Sequence, residues 1–272
     1  MQNPRLLASQ DEGLPEWLET RIKQLVDELS RYCGPIFIVP SLDSDEIIDA
    51  GTYALIDTGE KRLLVTCHHV WEKYEEQHDK NGNTVLAVAV GDSIISFKDP
   101  LKHRISFDRD LDIVVLEFEP ETIGIPHKKS WFKVTEWPIS KVDKGTWVVT
   151  LGYPGALRSK SEFVCRVQSV PMPLNVTDTS DRAFSAFCSN ENRQVLNDTK
   201  NSLGYFGGIS GSPAYCYSAN GELRIVGFVK GGQDTAPDRK YQAESGSLFS
   251  GAVLIAHASF LERDGKLNLL AA

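Results

Sequence analysis

Residues 204–213 read Gly-Tyr-Phe-Gly-Gly-Ile-Ser-Gly-Ser-Pro, and this stretch carries more structural information than any other part of the chain. Glycine adopts backbone conformations with positive φ that other residues resist, so a loop this rich in glycine can turn consecutive N–H groups toward one point, where an anion binds. Ser210 is therefore a candidate nucleophile, and the N–H groups of Gly208 and Ser210 are candidate donors to an oxyanion. The alternative is an ordinary tight turn between two strands. The stretch alone leaves both interpretations open.

The composition is that of an ordinary soluble globular protein, with 272 residues, 41% hydrophobic and 24% charged. The net charge of −8, without a run of Lys or Arg, argues against nucleic acid or an anionic membrane as the main partner. We expect no membrane span and no signal peptide, because no apolar run is long enough for either. The five cysteines include no CxxC pair, which predicts neither a disulfide framework nor a zinc site and favours a cytoplasmic location with reduced thiols.

Residues 14–33 predict an amphipathic helix, with Pro15 in the first turn and a stop signal at Gly34-Pro35. Its apolar residues recur at steps of three and four: Leu14, Leu18, Ile22, Leu25, Val26 and Leu29. We expect this helix to pack across the main domain; the alternative is a docking helix for a protein partner.

Short β-branched and aromatic runs separated by turn residues follow the helix. The first group comprises residues 36–39, 51–56, 62–66, 85–90, 93–97 and 113–118, and the second comprises 146–151, 162–170, 182–188, 213–217, 223–229 and 247–255. This pattern predicts an all-β fold of two six-stranded antiparallel β-barrels, with a short helix at 256–263. The expected division is an N-terminal helical extension at 1–34, a first barrel at 35–126 and a second barrel at 127–272. Residues 171–203, if unstructured, form a long connection that we expect to overhang the cleft.

Two further stretches carry polar residues at strand ends. The apolar run 63–65 ends at Thr66 and delivers His68 and His69, and the absence of a third ligand at close spacing argues against zinc. Asp112 precedes four apolar residues that carry it into the protein, so its carboxylate needs a hydrogen-bonded partner. Asp108 and Asp110 are interpreted as a solvated loop.

These stretches give a histidine, an aspartate and a glycine-flanked serine, in that order along the chain. This is the order of the His-Asp-Ser triad on a double β-barrel, and it differs from the orders found on the subtilisin and α/β-hydrolase folds. The nucleophile elbow G-x-S-x-G does not fit, because Ser212 stands where its second glycine is required.

The motifs resemble those of trypsin-like serine peptidases of the chymotrypsin fold, and most of all the disulfide-free bacterial-type branch that includes the high-temperature-requirement proteases. Residues 66–70 match the family's T-x-x-H-V, 112–114 match D-[IL]-[AV], and 208–213 match G-[DN]-S-G-[GS]-P except at Ile209. Residues 152–154 are similar to the "GYP" segment of the second barrel. The resemblance covers roughly residues 35–260 and implies a peptide hydrolase of the S1 type.

The resemblance implies a role for each residue at the centre of the site. Ser210 attacks the peptide carbonyl, His69 transfers the proton, and Asp112 orients the imidazole. The N–H groups of Gly208 and Ser210 bind the oxyanion. No cofactor and no metal are implied.

The resemblance also implies substrate-binding residues: Gly204, Val229, Lys230, Gly231 and Gly232. The strand at 229–232 is expected to pair with the backbone of a polypeptide substrate. Gly204 stands at the position that sets trypsin's preference for basic side chains, so we expect a preference for small or apolar ones.

Two departures bear on regulation. Secreted relatives place an aspartate at the position of Ile209, where it pairs with a newly cut N-terminus, so zymogen activation of that kind is not expected here. Val70 stands in place of a half-cystine, which agrees with a reducing compartment. The alternatives to an active endopeptidase are a binding or regulatory module with a resting site and an acyl hydrolase that uses the same serine.

Overall fold

A computed structural model describes residues 24–41, 43–44, 46–90, 93–97, 99–118, 129–153, 158–161, 164–167, 169–188, 208–232 and 251–269. The strands of the first sheet are β1 (Cys33–Val39), β2 (Asp49–Asp57), β3 (Arg62–Thr66), β4 (Val85–Val90), β5 (Ser93–Ser96), β6 (Arg104–Asp108), β7 (Ile113–Glu117) and β8 (Phe132–Lys133). The later strands are β9 (Trp147–Gly152), β10 (Arg158–Ser161), β11 (Val164–Val167), β12 (Val170–Thr179), β13 (Ala183–Cys188), β14 (Pro213–Tyr217), β15 (Leu223–Gly232) and β16 (Gly251–His257). The helices are α1 (24–29), α2 (His68–Lys80), α3 (Pro100–His103) and a 3-10 helix, Ala258–Phe260.

The first sheet has the order β5-β4-β1-β2-β3-β7-β6, with β8 added in parallel beside β2. The sequence predicted a closed six-stranded barrel here, whereas the described strands form one open sheet of eight. The sequence analysis did not predict β6 and β8, which accounts for the difference in the number of strands. β8 also lies beyond the predicted boundary at residue 126.

The second sheet is a closed six-stranded barrel, β12-β13-β16-β15-β14-β9, in which all neighbours are antiparallel. The prediction of a mostly β fold with such a barrel is confirmed. The run predicted at 162–170 does not supply a barrel strand, because β10 and β11 form a separate hairpin. Its place beside β9 is taken by β12.

Strand β12 corrects the interpretation of residues 171–203 as a long connection. Residues 170–179 and 183–188 are strands, and residues 189–203 lie outside the described part. Pro171 and Pro173 concealed β12, because proline removes an N–H group from the ladder. They are tolerated here because β13 pairs with β12 only from Asn175 onward, so one side of the strand has no described partner at the prolines.

The N-terminal helix ends earlier than predicted. Helix α1 stops at residue 29, a turn follows, and Cys33 already begins β1, so Gly34 and Pro35 lie in a strand rather than at a helix end. The chain enters the sheet at once because the N–H of Leu55 donates to the Tyr32 carbonyl at 2.7 Å. Residues 14–23 of the predicted helix lie outside the described part. The predicted C-terminal helix is only the single 3-10 turn.

One of the apolar clusters spans the two sheets and also takes in helix α1. Leu25 and Leu29 are buried there against residues of both sheets, among them Val65 of β3 and Leu151 of β9. The described part of the helix, residues 24–29, therefore covers this cluster. None of the described helices has the length and apolarity needed to span a bilayer.

Thr150 offers a test of the barrel core. It lies fully buried in β9, and its hydroxyl has no hydrogen-bond partner among the described residues. Thr150→Val removes this unsatisfied group at nearly constant volume, so we expect the free energy of unfolding to rise by about 1 kcal/mol. Guanidinium unfolding measures the change.

Thr66→Val is the matched control, because the hydroxyl of this buried threonine donates to the Thr52 carbonyl at 2.8 Å. This variant is expected to lose stability. A loss of stability in Thr150→Val would show that its hydroxyl is hydrogen-bonded after all.

Candidate active site

The two adjacent histidines begin helix α2, which the sequence analysis missed. The buried residues of the helix include Val70, Trp71 and Tyr74, whose spacing is helical and was available in the sequence. His68 is buried with its ring stacked on Phe107, at 5.0 Å between centroids, and burial lowers its pKa. The imidazole of His69 is 48% exposed, so only the second histidine can meet a substrate.

Asp112 binds both the backbone and the side chain of this helix start. Its Oδ1 accepts the N–H of His69 at 2.9 Å, its Oδ2 lies 2.8 Å from His69 Nδ1, and its carbonyl accepts the N–H of His68 at 3.1 Å. The N-cap residue, Cys67, makes no side-chain cap. Asp112 therefore caps the helix from outside, where its charge is also favoured by the helix dipole.

The backbone of Asp112 adopts the left-handed conformation, with φ of 54°. This conformation is unfavourable for a residue other than glycine and persists only where the surroundings enforce it. A tight turn does so here: the N–H of Asp112 donates to the Arg109 carbonyl at 3.2 Å, and the N–H of Leu111 donates to Asp108 Oδ1 at 2.6 Å. Asp108 is thus part of the turn and not merely solvated, which corrects the expectation from the sequence.

The other nitrogen of His69 does not bind Ser210 in this structure. Nε2 lies 3.7 Å from the Sγ of Cys67, and no hydrogen bond joins it to the Ser210 hydroxyl within the described part of the chain. Burial disfavours the imidazolium, but the hydrogen bonds with Asp112 and Cys67 outweigh this effect and raise the pKa of His69 above its usual value. Catalytic hydrogen bonds in unliganded enzymes are often long and form only when substrate binds.

Ser210 lies in a loop that is pressed against the first sheet. The N–H of Thr52 in β2 donates to the Ser210 carbonyl at 2.8 Å. The following residue, Gly211, has φ of +86°, and a Cβ there would lie 2.2 Å from the Thr52 carbonyl oxygen and 2.9 Å from Cys67 N. Only glycine fits at this position, so the glycine-rich motif is required for the two sheets to meet.

The serine loop contains the two N–H groups that the sequence predicted as donors to an oxyanion. Within the described residues, the N–H groups of Gly208 and Ser210 donate to no other group, whereas the N–H groups of Gly211 and Ser212 are used by Val229 and Ile209. Gly208 adopts φ of +96°, as the motif predicted. The serine and these two N–H groups belong to the loop before β14 of the barrel, whereas His69 and Asp112 belong to the part of the chain that forms the first sheet.

Ile209 is fully buried in the apolar core of the barrel. Its side chain packs directly on the backbone of Gly152, where a Cβ would lie 2.7 Å from Ile209 Cγ2. The residue that replaces the aspartate of secreted relatives thus anchors the loop by apolar burial. This arrangement needs no charged N-terminus to hold it.

Four of the five predicted substrate-binding residues lie in the described part of the chain, and they make different contacts. Val229 uses its N–H for the Ser212 carbonyl at 2.9 Å and its carbonyl for the Gly211 N–H at 2.7 Å, so it supports the serine loop instead of facing a substrate backbone. Lys230 reaches the Asp110 carbonyl with its ammonium group. Gly231 and Gly232 pair with β16. Gly204 lies outside the described residues.

The turn that carries Asp112 is also attached to the second barrel. Arg182 forms ion pairs with Asp108 at 3.6 Å and with Asp110 at 3.4 Å, and Lys230 adds the contact with the Asp110 carbonyl. No cluster of three or more residues suited to hold a metal ion occurs among the described residues.

Comparison with solved structures finds similar chains, proteases among them. The active form of the Rv3671c protease of M. tuberculosis superposes with a TM-score of 0.51 at 15% sequence identity, over 95% of this chain and 89% of that one. Deg5 gives a TM-score of 0.48 at 16% identity, over 79% and 86% of the two chains. The thermostable serine protease AL20 gives 0.44 at 12%, over 84% and 91%.

The first of these matches carries the argument, and it shows the fold alone. The resemblance to chymotrypsin-fold serine peptidases is thereby confirmed at the level of the fold. No family model matches the chain, and no match was found among curated proteins.

The contact between Cys67 and His69 predicts a measurable change in the histidine. Cys67→Ala removes a hydrogen-bond partner that favours the imidazolium, so we expect the pKa of His69 to fall. An NMR titration of its ring Cε1–H measures this directly. Cys216→Ala removes a half-buried thiol elsewhere in the barrel and should leave that pKa unchanged; equal shifts in both variants would contradict the assignment.

Proposed function

We propose that this protein is a serine endopeptidase that hydrolyses peptide bonds through His69, Asp112 and Ser210. The observation that carries the proposal is the histidine held by two hydrogen bonds to a partly buried aspartate, together with a glycine-rich loop that carries a serine and two N–H groups without an acceptor among the described residues. The fold supports the same reaction, since the solved structure that matches with a TM-score of 0.51 is a protease.

In the proposed reaction, Ser210 Oγ attacks the carbonyl carbon of the scissile peptide and passes its proton to His69 Nε2. The oxyanion that forms accepts hydrogen bonds from the N–H groups of Gly208 and Ser210. The C–N bond then breaks as His69 protonates the leaving amine, which leaves an acyl group on Ser210. A water molecule attacks this ester and gives a proton to His69, which passes it to Ser210 Oγ as the ester C–O bond breaks, releasing the serine and a carboxylic acid.

The contact of His69 with the Cys67 thiol favours a second candidate function, that of a regulatory module whose catalytic site is at rest. His69 Nε2 is engaged with Cys67 and not with Ser210, and its raised pKa favours the protonated form, which cannot act as a base. On the main proposal this is a resting arrangement, and Nε2 must exchange the thiol for the serine hydroxyl when substrate binds.

The finer features of the proposal follow from the same residues. Residues 35–126 supply the histidine and the aspartate, and 127–272 supply the serine. Residues 230–232 are the proposed strand for the substrate backbone, with the preference for small or apolar side chains inferred from Gly204. A cytoplasmic, trypsin-like enzyme without disulfides is proposed, in agreement with the free thiols of Cys33, Cys67 and Cys216.

Labelling with a fluorophosphonate tests the reaction without knowledge of the natural substrate. We expect wild-type protein to be labelled, and Ser210→Ala to abolish labelling. His69→Ala should slow it by a factor of about 10³ or more, because the serine then has no base. Ser259→Ala, which changes a serine outside the site, is the control. Folded wild-type protein that stays unlabelled would favour the regulatory module.

The labelling rate should also depend on pH. Because the pKa of His69 is raised to about 11, the neutral imidazole that serves as base continues to become more abundant as the pH rises through the alkaline range. We therefore expect the labelling rate to increase from pH 6 toward alkaline pH. In Cys67→Ala this increase should occur at lower pH. Gel analysis of aliquots stopped at successive times measures the rate. A profile that falls with increasing pH would be incompatible with His69 as the base.

A further inference from the structure

Thr52 is a residue that the sequence analysis did not single out, although it lies where the two sheets meet. It belongs to β2 of the first sheet and is fully buried. Its hydroxyl donates to the carbonyl of Gly208 at 2.8 Å, across a separation of 156 residues in the chain. A buried side chain of one sheet thus binds the main chain of the loop that carries Ser210.

The backbone of Thr52 binds the same loop at its other end. Its N–H donates to the Ser210 carbonyl at 2.8 Å. The carbonyl between these two, that of Ile209, accepts the N–H of Ser212 at 2.9 Å. All three consecutive carbonyls of the loop are therefore occupied, two of them by Thr52.

The direction of these carbonyls determines the direction of the N–H groups. In a planar trans peptide the C=O and N–H point to opposite sides. The bond from Thr52 fixes the peptide that joins Gly208 to Ile209, and the bond from Ser212 fixes the next peptide, which carries the N–H of Ser210. The two candidate oxyanion donors flank the peptide that the threonine hydroxyl holds.

The hydroxyl itself is locked. It accepts the N–H of Tyr153 at 3.3 Å while it donates to Gly208, so its hydrogen has one direction available. The Thr52 carbonyl is bound in turn by the hydroxyl of Thr66, at 2.8 Å, in the neighbouring strand β3. The threonine therefore connects β3, the end of β9 and the serine loop.

We propose that Thr52 is a positioning residue, whose hydroxyl holds the loop 208–210 in the conformation that presents the N–H groups of Gly208 and Ser210 to the substrate oxyanion. This role rests on the proposed peptidase reaction. Thr52 does not touch the reacting atoms and acts through the main chain of the loop.

Two substitutions at this position isolate the hydroxyl. Thr52→Val keeps the volume and the backbone bond to Ser210 but leaves the Gly208 carbonyl without its donor. Thr52→Ser keeps the hydroxyl and loses a methyl group. Thr150→Val is the matched control, since it makes the same change at a buried threonine whose hydroxyl has no partner among the described residues.

The first readout is fluorophosphonate labelling of the full chain, separated into the reagent's affinity and the maximal rate. We expect Thr52→Val to lower the maximal rate about 10- to 100-fold with little change in affinity, because misplacement of the donors acts on the transition state. The pH at which the rate is half-maximal should not move, because His69 is untouched. Thr52→Ser should restore most of the rate, and Thr150→Val should leave it unchanged.

The second readout is amide hydrogen exchange of peptides that cover residues 208–217, which needs no enzymatic activity. Thr52→Val should exchange faster there than wild type, Thr52→Ser and Thr150→Val. If wild-type protein is not labelled but this difference is seen, the proposed reaction fails and the positioning of the loop stands. If the exchange is unchanged, or if Thr52→Val is labelled as fast as wild type, the role of Thr52 is overturned.

Discussion

The close approach of the serine loop to strand β2 is the contact on which both halves of the candidate site depend. A Cβ at Gly211 would lie 2.2 Å from the Thr52 carbonyl oxygen, so any other residue would force the loop away from the first sheet. Such a displacement would also break the bonds from Thr52 to Gly208 and Ser210. The glycine motif is therefore explained by packing between the sheets as much as by the flexibility of a turn.

The first sheet contributes a second constraint, the left-handed backbone of Asp112. This conformation costs on the order of 1–3 kcal/mol, yet it lets the carboxylate and the carbonyl of one residue reach the start of helix α2 together. The side chain is only 14% exposed, and a carboxylate so removed from water needs its charge balanced. The N–H groups of His68 and His69, with the imidazole, provide that balance. The strained backbone is compensated, because it lets Asp112 bind the first N–H groups of the helix and orient the imidazole of His69 at the same time.

The strands could be predicted from the sequence because most of them are short apolar runs between turn residues. The exceptions have identifiable causes. Strand β12 was not predicted because it contains prolines at 171 and 173. Strand β6 was not predicted because it contains polar and charged residues. Helix α2 was missed because the apolar run ending at Thr66 drew attention to the strand, although the spacing of Val70, Trp71 and Tyr74 was helical. A local sequence pattern reflects only residues that are close in the chain. It could not show that β13 pairs with β12 only from Asn175 onward, which is why the prolines are tolerated.

The same distinction applies to the site. His69, Asp112 and Gly208 could be chosen from local motifs, and the structure does bring the first two into contact. Val229 was misassigned because its backbone is used by the serine loop, and the contact of Cys67 with His69 could not be foreseen. Thr52 could not be predicted, because its hydroxyl binds the main-chain carbonyl of Gly208, 156 residues away. A pattern of side chains gives no sign of such a contact. Contacts with main-chain groups are hard to predict from sequence, because nearly every residue carries the same N–H and C=O groups.

The first sheet and the barrel thus differ in how firmly their parts of the candidate site are held. The main chain around Ser210 is held through three occupied carbonyls and a buried Ile209, so the replacement of the aspartate of secreted relatives has not left this loop without an anchor. The imidazole, in contrast, is half exposed and rests against a thiol, which is a weak hydrogen-bond partner. The proposed reaction therefore requires the imidazole to change its contact, whereas the carbonyls of the serine loop are already hydrogen-bonded.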